Sequence, residues 1–134
     1  EWFSSTGGNP VSCAIGNAVL DVIEDEELQK HAREYGEYFL NGLRKLKDTY
    51  PAIGDVRGRG LFIGFEFVRD RITLEPDAEE ATRVVREMRE RGVLLSTDGA
   101  HHNVIKIKPP MILTRQDIDM TLDYLNEVLS GNGD

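Results

Sequence analysis

Two serines, a threonine and two glycines, Ser4-Ser5-Thr6-Gly7-Gly8, stand directly before Asn9-Pro10. Hydroxyls, unhindered glycine amides and a helix N-terminus are the parts of an anion-binding nest, the kind of site that cradles a phosphate. A flexible helix entry closed by an Asn-Pro cap is the competing reading, because Gly and Ser are also ordinary loop residues. The other chemistry-bearing residues are less organised. Val56-Arg57-Gly58-Arg59-Gly60-Leu61-Phe62-Ile63-Gly64 carries glycines but lacks the dinucleotide arrangement, which needs a strand before them and a helix after; here they lead into a strand. A kinked strand entry, where another backbone comes close, fits better.

Histidines and cysteine offer little. His101 and His102 are adjacent in a turn, their side chains diverge, and no Cys or carboxylate completes a metal-ligand pattern, so both are expected to be solvated. His31 is read the same way. Cys13 has no partner base nearby in sequence and is expected to be a buried packing thiol. No triad and no paired acid can be assembled, and no metal site is expected.

Helices and strands must position these residues. Asn9 and Pro10 open a first helix whose Val11, Ala14, Ile15, Ala18, Val19, Val22 and Ile23 form an apolar stripe ending at Glu24-Asp25-Glu26-Glu27. Its small residues suit close packing. The second helix carries Leu28, Ala32, Tyr35, Phe39, Leu43 and Leu46 on one face, acidic residues in its first turn and basic ones near its end, and stops at Tyr50-Pro51. From Ile53 the period becomes alternating, and Leu61, Ile63, Phe65 and Phe67 mark the inner face of a central strand. Pro76-Asp77 opens a third helix with Ala81, Val84, Val85 and Met88 inward, and Gly92 suits a left-handed cap. A strand at Val93–Ser96, a turn at Asp98-Gly99 and a strand NVIKIK ended by Pro109-Pro110 follow; Thr114 with Asp117 then opens a last helix lined by Ile118, Leu122, Leu125 and Leu129. The SGNGD tail is expected to fray. The order α-α-β-α-β-β-α implies one α+β domain, a small, mostly antiparallel sheet of three to four strands covered on one face by about four helices.

Composition limits the functions available. The chain's 134 residues suit one domain, and 24 acidic against 16 basic residues give a net charge of −8. No basic stripe suggests nucleic acid, and no apolar run can span a membrane. A single cysteine and no secretory signal make cytoplasmic the default location. A start at Glu1-Trp2 reads like the interior of a longer protein.

Four blocks in order, EWFSSTGGNPVSCAIGNAVLDVIEDEEL, IGDVRGRGLFIGFEFV, RGVLLSTDG and NVIKIKPPMILT, resemble the C-terminal part of class III (ornithine-aminotransferase-like) pyridoxal-phosphate enzymes. GGNPVSCA and NVIKIKPPM are most similar to the branch that holds alanine–glyoxylate aminotransferase 2 and the phospholyases acting on phosphoethanolamine and phosphohydroxylysine. The resemblance covers the whole chain. It implies fold type I, with residues 1–9 as an N-terminal arm and phosphate-binding turn and residues 10–134 as the small C-terminal domain. The Schiff-base lysine, the Asp at the pyridine nitrogen and the stacked aromatic would belong to a large domain before Glu1. Lys30, Lys45, Lys47, Lys106 and Lys108 do not sit in that lysine's motif, so no catalytic residue is expected within these residues and the fragment alone should be inactive.

The resemblance also assigns contacts. In family homodimers the hydroxyl-glycine turn reaches the phosphate of the neighbouring subunit's cofactor, which points to Ser5, Thr6, Gly7 and Gly8; the usual Thr-aromatic order falls here on Ser5-Thr6. Lys106 stands three residues before the Pro-Pro pair, where some members carry an Arg for a substrate carboxylate or a glutamate switch. A Lys lacks the bidentate fork, so a phosphate or another anchor becomes plausible. An exposed strand lysine is the bland alternative. Arg57, in the VRG block, is a second substrate-side candidate, with a structural role beside Asp55 or Glu66 competing. The implied reaction moves an amino group between an amine or amino acid and a 2-oxo acid, or eliminates phosphate from a phosphorylated amino alcohol or amino acid. A non-catalytic ligand-binding or dimerisation module is the reading from another class.

Overall fold

The computed structural model describes Ser4 and residues 7–131. Asn9 closes the entry to α1 (Pro10–Asp25): its Oδ1 accepts from Val11 N at 3.0 Å and Ser12 N at 3.2 Å, and Pro10 has no N–H to leave unpaired. The helix forms where its periodicity placed it, but most of its stripe is left exposed by the described residues. No α1 residue is buried, and Val11, Ile15, Val19 and Leu20 are 53–68% exposed. Among the elements α1 meets only α2. Cys13 is consequently exposed, not buried as its residue type suggested.

α2 (Leu28–Thr49) begins after Glu27, which sits in the left-handed region at φ 48°, so the acidic residues expected in its first turn lie just ahead of the helix. Phe39, Leu40, Leu43 and Leu46 are its buried face. His31 is not simply solvated: it is part-buried, its Nε2 lies 2.8 Å from the Leu113 carbonyl, and its ring stacks on Tyr35 at 4.0 Å. His101 and His102 are exposed, as expected.

The sheet has four strands, β1 (Ile53–Arg59), β2 (Phe62–Phe67), β3 (Ser96–Asp98) and β4 (Val104–Ile107), in the order β1-β2-β4-β3, with every pairing antiparallel. β2 is interior, with partners on both sides, as its apolar alternation required. β3 falls later than the Val93–Ser96 expected. Lys106 pairs with Ser96 and Val104 with Asp98, while Val93 and Leu95 are partly buried in the connection against the core and Leu94 faces out.

One face of the sheet presents Ile63, Phe65, Phe67, Ile105 and Ile107, all buried. α2 and α3 (Ala78–Glu90) lie on it and contribute Phe39, Leu43, Ala81, Val84 and Met88; α4 (Arg115–Ser130) packs on α2 and α3 with Ile118, Leu125 and Val128. The four helices and the antiparallel sheet are those expected, with α2 and α3 in direct contact with the sheet and α4 joining the same core through them. α4 opens with the anticipated capping box, Asp117 N donating to Thr114 Oγ1 at 3.2 Å and Thr114 N to Asp117 Oδ2 at 2.9 Å. Asp77 caps α3 by accepting from Glu80 N at 3.1 Å.

The glycine run is a β-hairpin. Gly60, at φ 56°, turns β1 into β2, and no helix follows, as the rejection of a dinucleotide site required. Its backbone lies directly on α2: a Cβ built on Gly36 would fall 2.1 Å from the Gly60 carbonyl oxygen. Two glycines therefore permit a backbone-to-backbone contact that holds the hairpin against the helix.

Candidate functional site

Among the described residues no helix lies over the second face of the sheet. Side chains alternate along a strand, so with Ile63, Phe65 and Phe67 turned inward, β2 presents Phe62, Gly64 and Glu66 outward. The register extends this face through Asp55, Arg57 and Arg59 on β1, Val104 and Lys106 on β4, and Ser96 and Asp98 on β3. One rung runs Arg57, Gly64, Lys106, Ser96. Gly64 separates the two cations. With neighbouring strands about 4.8 Å apart, the Arg57 and Lys106 backbones stand roughly 10 Å apart across a strip that carries no side chain.

The result is an open groove of about 450 Å³ lined by Arg57, Arg59, Phe62, Gly64, Asp98 and Lys106, among others. Gly64 is its floor. A Cβ there would make only ordinary contacts, 3.5 Å to Val104 Cγ1 and 3.7 Å to the Ile105 carbonyl, so the packing of this chain does not require glycine at that position. Phe62 forms an apolar wall, 61% exposed, with the Lys108 ammonium 5.4 Å from its ring centre.

The cations of this face are held differently. Arg57 Nη1 donates to Asp55 Oδ2 at 2.7 Å and to Glu66 Oε2 at 2.8 Å, so both pairings considered from sequence are present. Glu66 is in turn fixed by the buried Asn103, whose Nδ2 donates to Glu66 Oε1 at 3.1 Å and to the Phe67 carbonyl at 2.8 Å. The Arg57 guanidinium lowers the Asp55 pKa, and the hydrogen bonds to Asp55 and Glu66 raise that of Arg57. Lys106 has a single ionic partner among the described residues: its Nζ donates to Asp98 Oδ2. That bond, together with the Gly99 N–H donated to Asp98 Oδ1 at 2.8 Å, holds the Asp98 carboxyl below the usual range. Arg59 lines the groove without an ionic partner among the described residues.

The turn before α1 is the second place where the sequence pointed to an anion. Ser5 and Thr6 lie outside the described residues. Gly7 N donates to the Ser4 carbonyl at 3.3 Å, and Gly8, at φ 79°, has open space on the side a Cβ would take. The helix terminus offers less than its position implied, because Asn9 already accepts from Val11 and Ser12. The Gly8 N–H, by contrast, has no acceptor among the described residues, so this turn keeps one unhindered backbone donor for an anion and fits the edge of a phosphate site.

None of the chain's five lysines is buried, whereas an amine nucleophile active near neutral pH is ordinarily desolvated or set beside another cation. Among the described residues no group of His, Cys, Asp and Glu could hold a metal ion, and no helix is long and apolar enough to cross a membrane.

The profile of the aminotransferase class-III family matches residues 4–129. The chain belongs to that family. It is 48% identical over 130 residues to an alanine–glyoxylate aminotransferase 2-like protein of Drosophila melanogaster, covering 96% of this chain and 26% of the relative. Among solved structures it superposes on an Arthrobacter phospholyase in complex with phosphoethanolamine with a TM-score of 0.87 and 36% identity, over 96% of this chain and 31% of that one. It also superposes on an amine transaminase of an uncultivated Pseudomonas species, in its PLP-bound form, with a TM-score of 0.83 and 32% identity, over 97% and 29% of the two chains. The family is one of pyridoxal-phosphate enzymes, and the α+β architecture is that of its fold-type I members. The chain spans between a quarter and a third of the length of these relatives.

The sequence singled out Lys106 and Arg57, and the fold brings both into one groove. Asp98, Gly64 and Arg59 line the same groove and were not singled out from sequence. The signal for them was present: the inward set Ile63, Phe65 and Phe67 makes Gly64 outward by alternation, and the Asp98-Gly99 turn folds Asp98 back beside the strand bearing Lys106.

Proposed function

We propose that this chain is the small C-terminal domain of a pyridoxal-phosphate-dependent class III aminotransferase, and that its open sheet face lines the substrate side of the active site. The observation that carries this reading is the Arg57–Gly64–Lys106 rung: a strand glycine that the packing does not demand, set between two cations on the sheet face that the described residues leave uncovered. When bound, pyridoxal phosphate supplies the electron sink for bond cleavage beside the substrate nitrogen. The Gly8 N–H, with Ser5 or Thr6, would contact its phosphate across a homodimer interface, and Gly7, whose N–H is given to the Ser4 carbonyl, would shape the turn. Lys106 receives the anionic end of an amine or amino-acid substrate. Arg57, held by two carboxylates, shapes the groove wall and fixes β1 against β2 rather than taking the substrate itself.

Partners follow from the exposed α1 stripe. Val11, Ile15, Val19 and Val22 form an apolar surface that the described residues leave exposed, which suits burial against the large cofactor-binding domain of the same polypeptide. The lysine that carries the cofactor belongs to that domain, and residues 1–134 alone are inactive.

A phosphate-eliminating reaction is the second reading, favoured by one feature. Lys106 is a compact point charge that suits phosphate as well as carboxylate, and it lacks the planar fork that makes Arg selective for a carboxylate. The test is to assay the full-length holoenzyme with alanine plus glyoxylate, following keto-acid formation, and with phosphoethanolamine, following phosphate release. Keto-acid formation dependent on both amine and 2-oxo acid supports transamination; phosphate release without amino-group transfer supports elimination. Neither activity in a cofactor-saturated full-length protein would favour a non-catalytic module.

A further inference from the structure

The two cations flanking Gly64 differ in how firmly they are held. Arg57 is clamped by carboxylates from β1 and β2, and one of these is itself anchored by a buried asparagine. Among the described residues Lys106 has only Asp98. The Lys106 and Asp98 side chains are 32% and 51% exposed, so solvent screens their attraction and the pair can open without burying an unpaired charge. Asp98 itself is well placed: its second oxygen accepts the Gly99 amide at the tip of the β3–β4 hairpin, which fixes the carboxylate toward β4.

We propose that Asp98 is a specificity-determining residue of the groove, occupying the Lys106 ammonium when no ligand is bound and competing with the anionic group of an incoming substrate. The proposal rests on the reading of Lys106 as the substrate contact. Register supports the geometry: Asp98 pairs with Val104 and Ser96 with Lys106, so the ion pair lies diagonally across one hairpin, on the groove side. Because Asp98 is tethered, its effective concentration at Lys106 far exceeds that of a dissolved carboxylate at ordinary substrate levels. A ligand must therefore displace it or share the ammonium with it, and any anion entering the groove also meets its negative charge. Asp98 thereby weakens retention of free anions and favours ligands whose amine end adds further binding.

The experiment measures inhibition by inorganic phosphate, against the amine substrate, in the full-length holoenzyme with its cofactor saturated so that the cofactor's own phosphate site is filled. Wild type, Asp98→Asn, Lys106→Ala and the double variant are compared. Asn keeps an oxygen for the Gly99 amide, so the hairpin is preserved; Asp98→Ser serves if the Asn variant is unstable. Asp98→Asn should lower the inhibition constant about two- to fivefold, the range for an exposed ion pair. Lys106→Ala should raise it, and in that background Asp98→Asn should lower it by less than in wild type, because only the carboxylate's direct repulsion of the anion is then left to relieve. An unchanged or raised constant in Asp98→Asn, with Lys106→Ala still weakening inhibition, overturns the competition while leaving Lys106 as the anion contact. No effect of Lys106→Ala removes the substrate reading of this groove, and the proposal with it.

Discussion

Replacing Gly36 by Ala inserts a methyl group where α2 rests on the β1–β2 hairpin that carries Arg57. Two effects oppose one another. In a helix interior, Gly→Ala is worth about 0.8–1 kcal/mol of stability through propensity alone. Against that, the new Cβ would lie 2.1 Å from the Gly60 oxygen and 2.4 Å from its carbonyl carbon. Reaching an ordinary separation of about 3.5 Å demands that helix and hairpin move apart by more than 1 Å. Both sides are backbone, so no rotamer change relieves the overlap, and overpacking of this kind costs about 3 kcal/mol or more. The net expectation is a destabilisation of roughly 2 kcal/mol. Two other helix glycines serve as controls. At Gly42 the obstacle is the Leu122 side-chain end, at 2.2 Å, which can rotate away, so Ala there should be close to neutral. At Gly16 nothing lies within 4 Å, and Ala should raise helix content and stability by up to about 1 kcal/mol. Urea unfolding followed by circular dichroism on the three variants gives the ranking. A Gly36→Ala protein as stable as Gly16→Ala would refute the backbone contact as the reason for glycine.

Other perturbations bear on the site. Ser5→Ala combined with Thr6→Ala in the full-length enzyme should weaken cofactor retention by about one to two orders of magnitude for each charged hydrogen bond lost, with the fold unchanged; equilibrium cofactor titration checks it. Gly64→Val should fill the groove floor, raising KM for the amine substrate severalfold while leaving the unfolding midpoint near that of wild type, because a Cβ there meets only ordinary contacts. Acid should destabilise the domain through its paired aspartates. Asp55 and Asp117 have lowered folded pKa values, Asp55 chiefly from Arg57 and Asp117 chiefly from the Thr114 hydroxyl, so their contribution is complete above the unfolded value of about 3.9 and is lost as pH falls through the lower folded value. Asp117→Asn should reduce the loss of stability between pH 7 and pH 3, as measured by urea midpoints.

Local chemistry made much of the fold readable. The alternation of Ile63, Phe65 and Phe67 gave the central strand, and Thr114 with Asp117 announced a capping box whose reciprocal bonds are present. What local pattern could not supply was the partner of each face. The α1 stripe repeats at helical spacing like that of α2, yet no α1 residue is buried, because amphipathicity reports that a helix has an apolar side and not whether the covering element lies within the same residues. Cys13 was misread for the same reason. β3 was displaced because Val93, Leu94 and Leu95 look like a strand by residue type, while pairing is decided by what β4 offers, and Lys106 faces Ser96. The groove depended on register across four strands. Lys106 was visible as a cation before two prolines, but its ion pair with Asp98 appears only once the hairpin between them is closed.

The division of labour between this chain and the cofactor-bearing domain can be tested by reductive trapping. Treating the full-length holoenzyme with borohydride, digesting it and mapping the pyridoxyl adduct by mass spectrometry should place one stoichiometric modification on a lysine outside residues 1–134, with Lys106 unmodified and the 134-residue chain alone acquiring only slow, scattered labelling. A stoichiometric adduct on Lys106, or on Lys30, Lys45, Lys47 or Lys108, would contradict the assignment of this chain to phosphate and substrate contacts.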